Sequence, residues 1–316
     1  MTVSRDKTSH LKIAASKVTV EADENGRRID NFISSRLKNI PKSRIYQMLR
    51  RGEVRLNGSR VRADSRLSAG DVVRLPPVYQ ETANDTPAIA PGIMHKLEQG
   101  ILHEDDKLLV INKPSGLAVH AGSGVNYGVI DILRASRGPC ERLELAHRLD
   151  RGTSGCLLLA KDIATLRKLN EQLRDGLVRK GYVALLRGQL AQPFLNIDEP
   201  LRRQPGRFGD RRVVVASDGK ISATRIQQRQ QYTQATLVDV HLMTGRTHQI
   251  RVHASAIGHP LAGDSKYGDK VFNQTLRRSG LRRLFLHAAS LSLPGFGHAF
   301  QAPLPDELQK LLDRLI

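Results

Sequence analysis

Between Val18 and Pro77 the apolar positions change period twice. Ile29, Phe32, Ile33 and Leu37 recur at the spacing of one helix face, and Ile45, Met48 and Leu49 repeat the pattern. Ile40-Pro41-Lys42-Ser43 supplies Pro and Ser at the start of the second helix, and Gly52 ends it. Val54-Arg55-Leu56 then alternates as a strand, Asn57-Gly58 is a hairpin dipeptide, and Val72-Val73-Arg74-Leu75 predicts a closing strand. This is a small module, expected over residues 18–77. Residues 1–17 before it read as a flexible basic tail.

Residues 78–99 contain Pro, Ala and Thr without a period and are expected to be a linker. The remainder, residues 100–316, is richer in strand patterns. Leu108-Leu109-Val110-Ile111 and Cys156 to Ala160 are short apolar runs of the kind found in buried strands. Further strands are expected at Gly181–Gly188, Thr224–Ile226, Ala235–Val240 and Leu284–Ala288. Asp162 suits a helix N-cap ahead of Ala164, Leu166, Leu169 and Leu173, and Leu308, Leu311, Leu312 and Leu315 mark a last helix. Gln192 to Lys220, with Arg202, Arg203, Arg207, Arg211 and Arg212 among Pro and Gly, reads as a basic insertion loop able to contact RNA.

Composition narrows the partners. The 316 residues are 40% hydrophobic, enough for a real core, and carry a formal net charge of +19. Such an excess favours a polyanion, nucleic acid before membrane. No apolar run approaches the roughly 20 residues of a spanning helix, and no apolar segment follows the start, so neither a membrane partner nor a secretory leader is expected. The two cysteines, Cys140 and Cys156, form no Cys-x-x-Cys pair, which supports neither zinc nor disulfides. The cytoplasm is the location implied. On the second predicted helix Lys42, Arg44, Arg50 and Arg51 flank the apolar stripe and Arg55 follows, a basic face suited to RNA phosphates.

The candidate chemistry centres on Asp150. It stands between Arg148 and Arg151, just before the turn Gly152–Gly155 and the buried run that follows. A carboxylate held on a rigid scaffold edge can act as nucleophile or base. His248, His253 and His259 fall close together, but the cysteines and carboxylates of a metal cluster are missing around them, so no metal is expected.

The word His147-Arg148-Leu149-Asp150-Arg151-Gly152-Thr153-Ser154-Gly155 resembles the central motif of the RluA-type pseudouridine synthases, which isomerise uridine to pseudouridine in RNA. Asn112-Lys113-Pro114-Ser115-Gly116, Lys180-Gly181-Tyr182-Val183-Ala184-Leu185 and Gly245-Arg246-Thr247-His248-Gln249-Ile250-Arg251-Val252-His253 are similar to three further motifs of that family, in order. Ile40 to Arg44 and Gly52 to Gly58 resemble the S4 domain, an RNA-binding module that many large-subunit pseudouridine synthases carry at this end.

The resemblance implies an α+β fold: an S4-like module joined to a catalytic domain with a mixed, largely antiparallel central sheet. It puts the nucleophile on Asp150, proton transfer on Tyr182, pairing with the carboxylate on Arg251, and entry into the vacated base stack on Arg148. The nucleophile could attack C6 of the base, attack C1′ of the ribose, or remove the C2′ proton. No cofactor is implied, because the net reaction is an isomerisation. The implied partner is 23S rRNA or a large-subunit precursor particle, with a monomer as the default state. A non-catalytic ribosome-assembly factor on the same scaffold is the alternative. A hydrolase pairing Asp150 with His147 is the weaker rival, since neighbours in an extended strand point to opposite faces.

Overall fold

The computed structural model describes residues 10–37, 40, 42–81, 89–121, 125–137, 142–205 and 211–315, with backbone alone at 10–13, 42, 79–81, 205 and 211. The chain forms two compact units, Met1–Ala88 and Ile89–Ile316.

The first unit contains β1 (His10–Ile13), β2 (Ser16–Thr19), α1 (Ile29–Arg36), α2 (Lys42–Arg51), β3 (Arg55–Leu56), β4 (Val72–Leu75) and β5 (Val78–Glu81). The two predicted apolar stripes meet: Ile29, Phe32 and Ile33 of α1 and Ile45, Met48 and Leu49 of α2 are buried with Val73 and Leu75 of β4. Their side of a three-stranded sheet, in the order β2-β4-β3, closes this core. Residues 10–13, expected as part of a flexible tail, form β1, which pairs β5, and the tail's last residues, 16 and 17, open β2, which pairs β4. Residues 1–9 of that tail lie outside the described residues.

The second unit opens with α3 (Pro91–Gln99), which occupies part of the expected linker. Pro91 begins the helix, where its missing N–H costs nothing, and Leu97 is fully buried. The following elements are β6 (Ile101–Glu104), β7 (Leu108–Lys113), α4 (Val129–Arg137), β8 (Glu144–Leu145), β9 (Ser154–Ala160), α5 (Ile163–Arg174) and β10 (Arg179–Arg187). Next come β11 (Phe194–Ile197), β12 (Leu201–Pro205), β13 (Arg211–Val215), β14 (Thr224–Gln231), β15 (Ala235–Leu242) and α6 (Gln249–Ala256). The chain finishes with α7 (Lys270–Arg278), β16 (Leu286–Leu293), β17 (His298–Gln301) and α8 (Asp306–Leu312).

One large sheet runs β11-β14-β15-β10-β16-β9-β7-β6, with β17 added to β16 and β8 to β9. Neighbours are antiparallel except β9 and β16, so the sheet is mixed and largely antiparallel, as expected. Strand alternation divides its side chains between two faces. Leu109, Ile111, Leu157, Leu159, Ala184 and Val238 pack with residues of α3, α4 and α6. Leu108, Val110, Cys156 and Leu158 pack with α5, while Val183, Leu185 and Leu237 pack with α7 and α8. The expected cap at Asp162 is present: its carboxylate accepts from the Thr165 amide at 2.7 Å.

The stretch 192–220 is not an irregular loop. It holds β11, paired with β14, and the β12–β13 hairpin, in which Leu201 and Val213 turn inward to meet Val252 of α6. Arg202, Arg203 and Arg212 are exposed on this hairpin, so the basic composition belongs to paired strands. Residues 206–210, including Arg207, lie outside the described residues.

Candidate active site

Asp150 sits in the loop between β8 and β9, and the loop is held from two directions. From the turn after β7, Ser115 Oγ donates to the Gly152 carbonyl at 2.8 Å, and Gly116 N donates to the Arg151 carbonyl at 2.8 Å. Lys113, fully buried beneath, donates to the carbonyls of Pro114 and Leu117 at 2.9 and 2.8 Å. Burial, with the repulsion of Arg283, pushes its ammonium down to about 7, and Asp150 partly opposes this. From the C-terminal side, Ser154 Oγ accepts from Arg283 Nη2 at 2.7 Å and lies 2.8 Å from His287 Nδ1. Gly155 lies beside β16, with φ +109°, and a Cβ there would come 2.2 Å from the Ala288 carbonyl oxygen.

Arg251 projects from the first turn of α6 and serves two carboxylates. Nε and Nη2 donate to Asp264 at 2.7 and 2.8 Å, and Nη1 donates to Asp150 Oδ2 at 3.3 Å. The Asp264 carboxylate is fully buried and also accepts from the Lys266 and Tyr267 amides. Burial would raise the Asp264 carboxyl, but the Arg251 bonds outweigh it and hold the carboxyl below its usual range. Burial likewise works against Arg251, and the two carboxylates leave it raised overall.

His248, directly before α6, has φ +56°, an uncommon conformation for a residue with a Cβ. Its Nδ1 lies 2.9 Å from Tyr267 Oη and its Nε2 is 3.8 Å from Asp150 Oδ2. Burial lowers its pKa, against the pull of Asp150, which favours the neutral ring at pH 7. Gln249 braces the same turn, accepting from Thr244 Oγ1 and the Arg246 amide while donating to the Ala223 carbonyl and Thr224 Oγ1.

Tyr182 lies on β10, where the pairing with β16 slips register between Gly181 and Val183. It is buried, and burial, reinforced by Asp150, raises the phenol well above its ordinary value, so the hydroxyl keeps its proton at neutral pH. Asp150, Tyr182 and Arg251, distant in sequence, line one cavity of about 370 Å³. Arg148 is exposed on the same cavity. His147 also borders it, but its Nε2 accepts from the Leu158 amide at 3.1 Å, and burial holds it down to about 4. Its ring is therefore neutral, and its acceptor nitrogen is engaged by the β9 backbone.

Three participants had gone without a role in the sequence. Asp264 and Tyr267 belong to the word Gly263-Asp264-Ser265-Lys266-Tyr267-Gly268, whose density of small and polar residues was their only signal. Lys180 stands two residues before Tyr182, on the same side of β10, and lines the cavity; burial lowers its ammonium.

In the first unit the expected basic residues divide. Arg50 and Arg51 are exposed on α2, whereas Arg44 is tied to Glu53 at 2.9 Å and to Gln47 at 2.9 Å. The side chain of Lys42 lies outside the described residues. Arg55 joins a different group: Lys17 of β2, Arg74 of β4 and Arg55 of β3 stand in register across the sheet and line a shared depression.

A mixed sheet covered on both faces, with an aspartate loop facing an arginine and a buried tyrosine, defines a class. The chain belongs to the RNA pseudouridylate synthase family. That family's model matches residues 107–256, and the S4 domain model matches residues 27–73. The protein is therefore an RNA pseudouridine synthase with an S4 domain. Among its relatives, ribosomal large subunit pseudouridine synthase C of Haemophilus influenzae is 48% identical over 94% of each chain. The protein of the same name from Salmonella typhi is 46% identical over 98% of each chain. Among solved structures, human RNA pseudouridylate synthase domain containing 4 is 30% identical, with a TM-score of 0.60 over 71% of this chain and 95% of that one. Human RNA pseudouridylate synthase domain containing 1 is 27% identical, with a TM-score of 0.56 over 69% and 86%.

Proposed function

We propose that the protein converts uridines of large-subunit ribosomal RNA to pseudouridine, with Asp150 as the nucleophile. The observation that carries this reading is the convergence of Asp150, Tyr182 and Arg251 on one cavity. The large-subunit substrate is inferred from the relatives of nearly equal length. Residues 18–77 bind RNA and residues 100–316 carry the chemistry. The working state is a monomer in the cytoplasm.

A uridine in folded RNA must leave its stack to expose the bond between N1 and C1′. Arg148, exposed on the cavity, is the group to fill the space left behind. Asp150 engages the flipped nucleotide, and Arg251 aims the carboxylate and stabilises its charge. The N1–C1′ bond breaks, the uracil turns, C5 bonds to C1′, and the C5 proton leaves while N1 gains one. The atoms balance without a cofactor. Tyr182, protonated, orients the base and takes the C5 proton only by passing its own onward.

Pseudouridine mapping of 23S rRNA tests the reading in cells lacking the protein, complemented with wild type or Asp150→Asn. Sites restored by wild type alone are the expected result. Full restoration by the variant removes Asp150 from the chemistry, and no lost site in the deletion favours the assembly-factor reading.

A further inference from the structure

A second group of reactive side chains lies away from the cavity, at the opposite end of the sheet order from β11. His103 is on the edge strand β6, Asp105 begins the β6–β7 turn, and His298 opens β17. None of the three lines the Asp150 cavity. Their potential ligand atoms all fall within 4.8 Å of one another, the only such group of three among the described residues.

We propose that His103, Asp105 and His298 form a binding site for a divalent cation of the zinc type. Asp105 is prepared for it. Its Oδ1 accepts from the Lys107 and Leu108 amides at 2.7 and 2.6 Å, which fixes the carboxylate and leaves Oδ2 facing the imidazoles. His103 Nε2 is 3.0 Å from Oδ2, and His298 Nε2 is 3.9 Å from it. The second separation is too long for a hydrogen bond, and the His298 ring has no other hydrogen-bond partner among the described residues. A cation between the three atoms explains why an imidazole is kept there. Ligand distances of about 2.0–2.2 Å to zinc require neighbouring donors roughly 3.4 Å apart, between the two separations seen.

The surroundings hold the rings in place. Phe300 packs against both, at 5.1 and 5.6 Å between centroids, and the rings of His103 and His298 are 4.9 Å apart. The β6–β7 register slips between Ile101 and His103, a bulge that re-aims the side chain. Of the carboxylates beside Asp105 in sequence, Glu104 is occupied by Arg137 and Lys161, and Asp106 is not among the converging ligand atoms, so the donor set is two imidazoles and one carboxylate. That set suits Zn²⁺, Co²⁺ or Ni²⁺ and not Mg²⁺ or Ca²⁺, which prefer oxygen cages. The three side chains are 26%, 38% and 39% exposed, open to an ion from solvent and leaving a coordination position for water. Bound metal would tie β17 to the β6–β7 hairpin.

The test is Co²⁺ titration of the chelator-treated, untagged full chain, read by the visible d–d absorption of the bound ion. One equivalent is expected, displaced by Zn²⁺ and not by Mg²⁺, with Zn²⁺ also raising the melting temperature. His298→Ala and Asp105→Asn should each weaken binding by about tenfold or more. Asn at 105 keeps an oxygen for the two amides, so the turn survives. His120→Ala, at an exposed histidine elsewhere, should leave binding unchanged. Equal uptake by wild type and His298→Ala, or no uptake by wild type, overturns the proposal.

Discussion

Arg251 and Asp264 are locked in a bidentate ion pair at 2.7 and 2.8 Å, and only the outer nitrogen of the guanidinium is left for Asp150. The geometry facing the cavity is thus set by a carboxylate behind it. Asp264→Asn retains the volume and removes the charge that fixes the arginine. Losing one partner of a buried pair costs about 3–5 kcal/mol, so stability in urea should fall by roughly that amount. Single-turnover pseudouridine formation should slow, while RNA affinity, measured on the folded variant, should hold.

The ladder Lys17–Arg74–Arg55 places like charges opposite one another, an arrangement that destabilises a sheet until an anion covers it. Arg74→Gln should stabilise the free protein at low salt by about 0.2–1 kcal/mol. The same change should weaken RNA binding and reduce the slope of log affinity against log salt by about 1. Opposite signs in the two measurements would identify a phosphate contact. A slope left as in wild type would make the ladder a mere surface feature.

Lys113 supplies a pH dependence. Its folded pKa is about 7, against 10.5 for the ordinary ammonium. Between those values the unfolded chain binds more protons than the folded one, so stability should rise with pH across that window. The cost of the buried charge is complete below pH 7 and is relieved towards 10.5. Urea denaturation at pH 7 and pH 9 should show wild type gaining relative to Lys113→Met.

Gly155 is fixed by two demands at once, a left-handed φ and a carbonyl at 2.2 Å from any added Cβ. Gly155→Ala should therefore push β9 from β16 and displace the loop that carries Asp150. A loss of at least about 2 kcal/mol in unfolding free energy is expected, with activity reduced further than stability alone explains. Retained activity at full occupancy of the fold would show that the loop tolerates the shift.

Much of this arrangement was legible in the sequence, because short-range patterns dictated it. The stripe of Ile29, Phe32 and Ile33, the cap at Asp162 and the apolar run into Ala160 all report local geometry, and each forms the element expected. The helix at 91–99 was harder to see: Ile93, Met94 and Leu97 share a face, but proline and the preceding polar stretch hid a period only two turns long. The arginines of β12 and β13 misled for another reason. Composition suggested a loop, whereas Leu201 and Val213 sit on paired strands and are buried against Val252. Asp264 was illegible in principle, since its importance lies in a contact with a residue on a different element.

The aspartate loop is clasped by residues 113–116 before it and by Arg283, His287 and Ala288 after it. The parallel joint between β9 and β16 therefore unites segments separated by most of the catalytic unit's length. Contacts so distant along the chain form late and slowly. During synthesis, Asp150 leaves the ribosome long before the strand that seats it. The loop thus lacks its seat until β16 enters between β9 and β10, and a chain truncated before residue 286 would carry every residue of the cavity except Leu286 and still lack a formed centre.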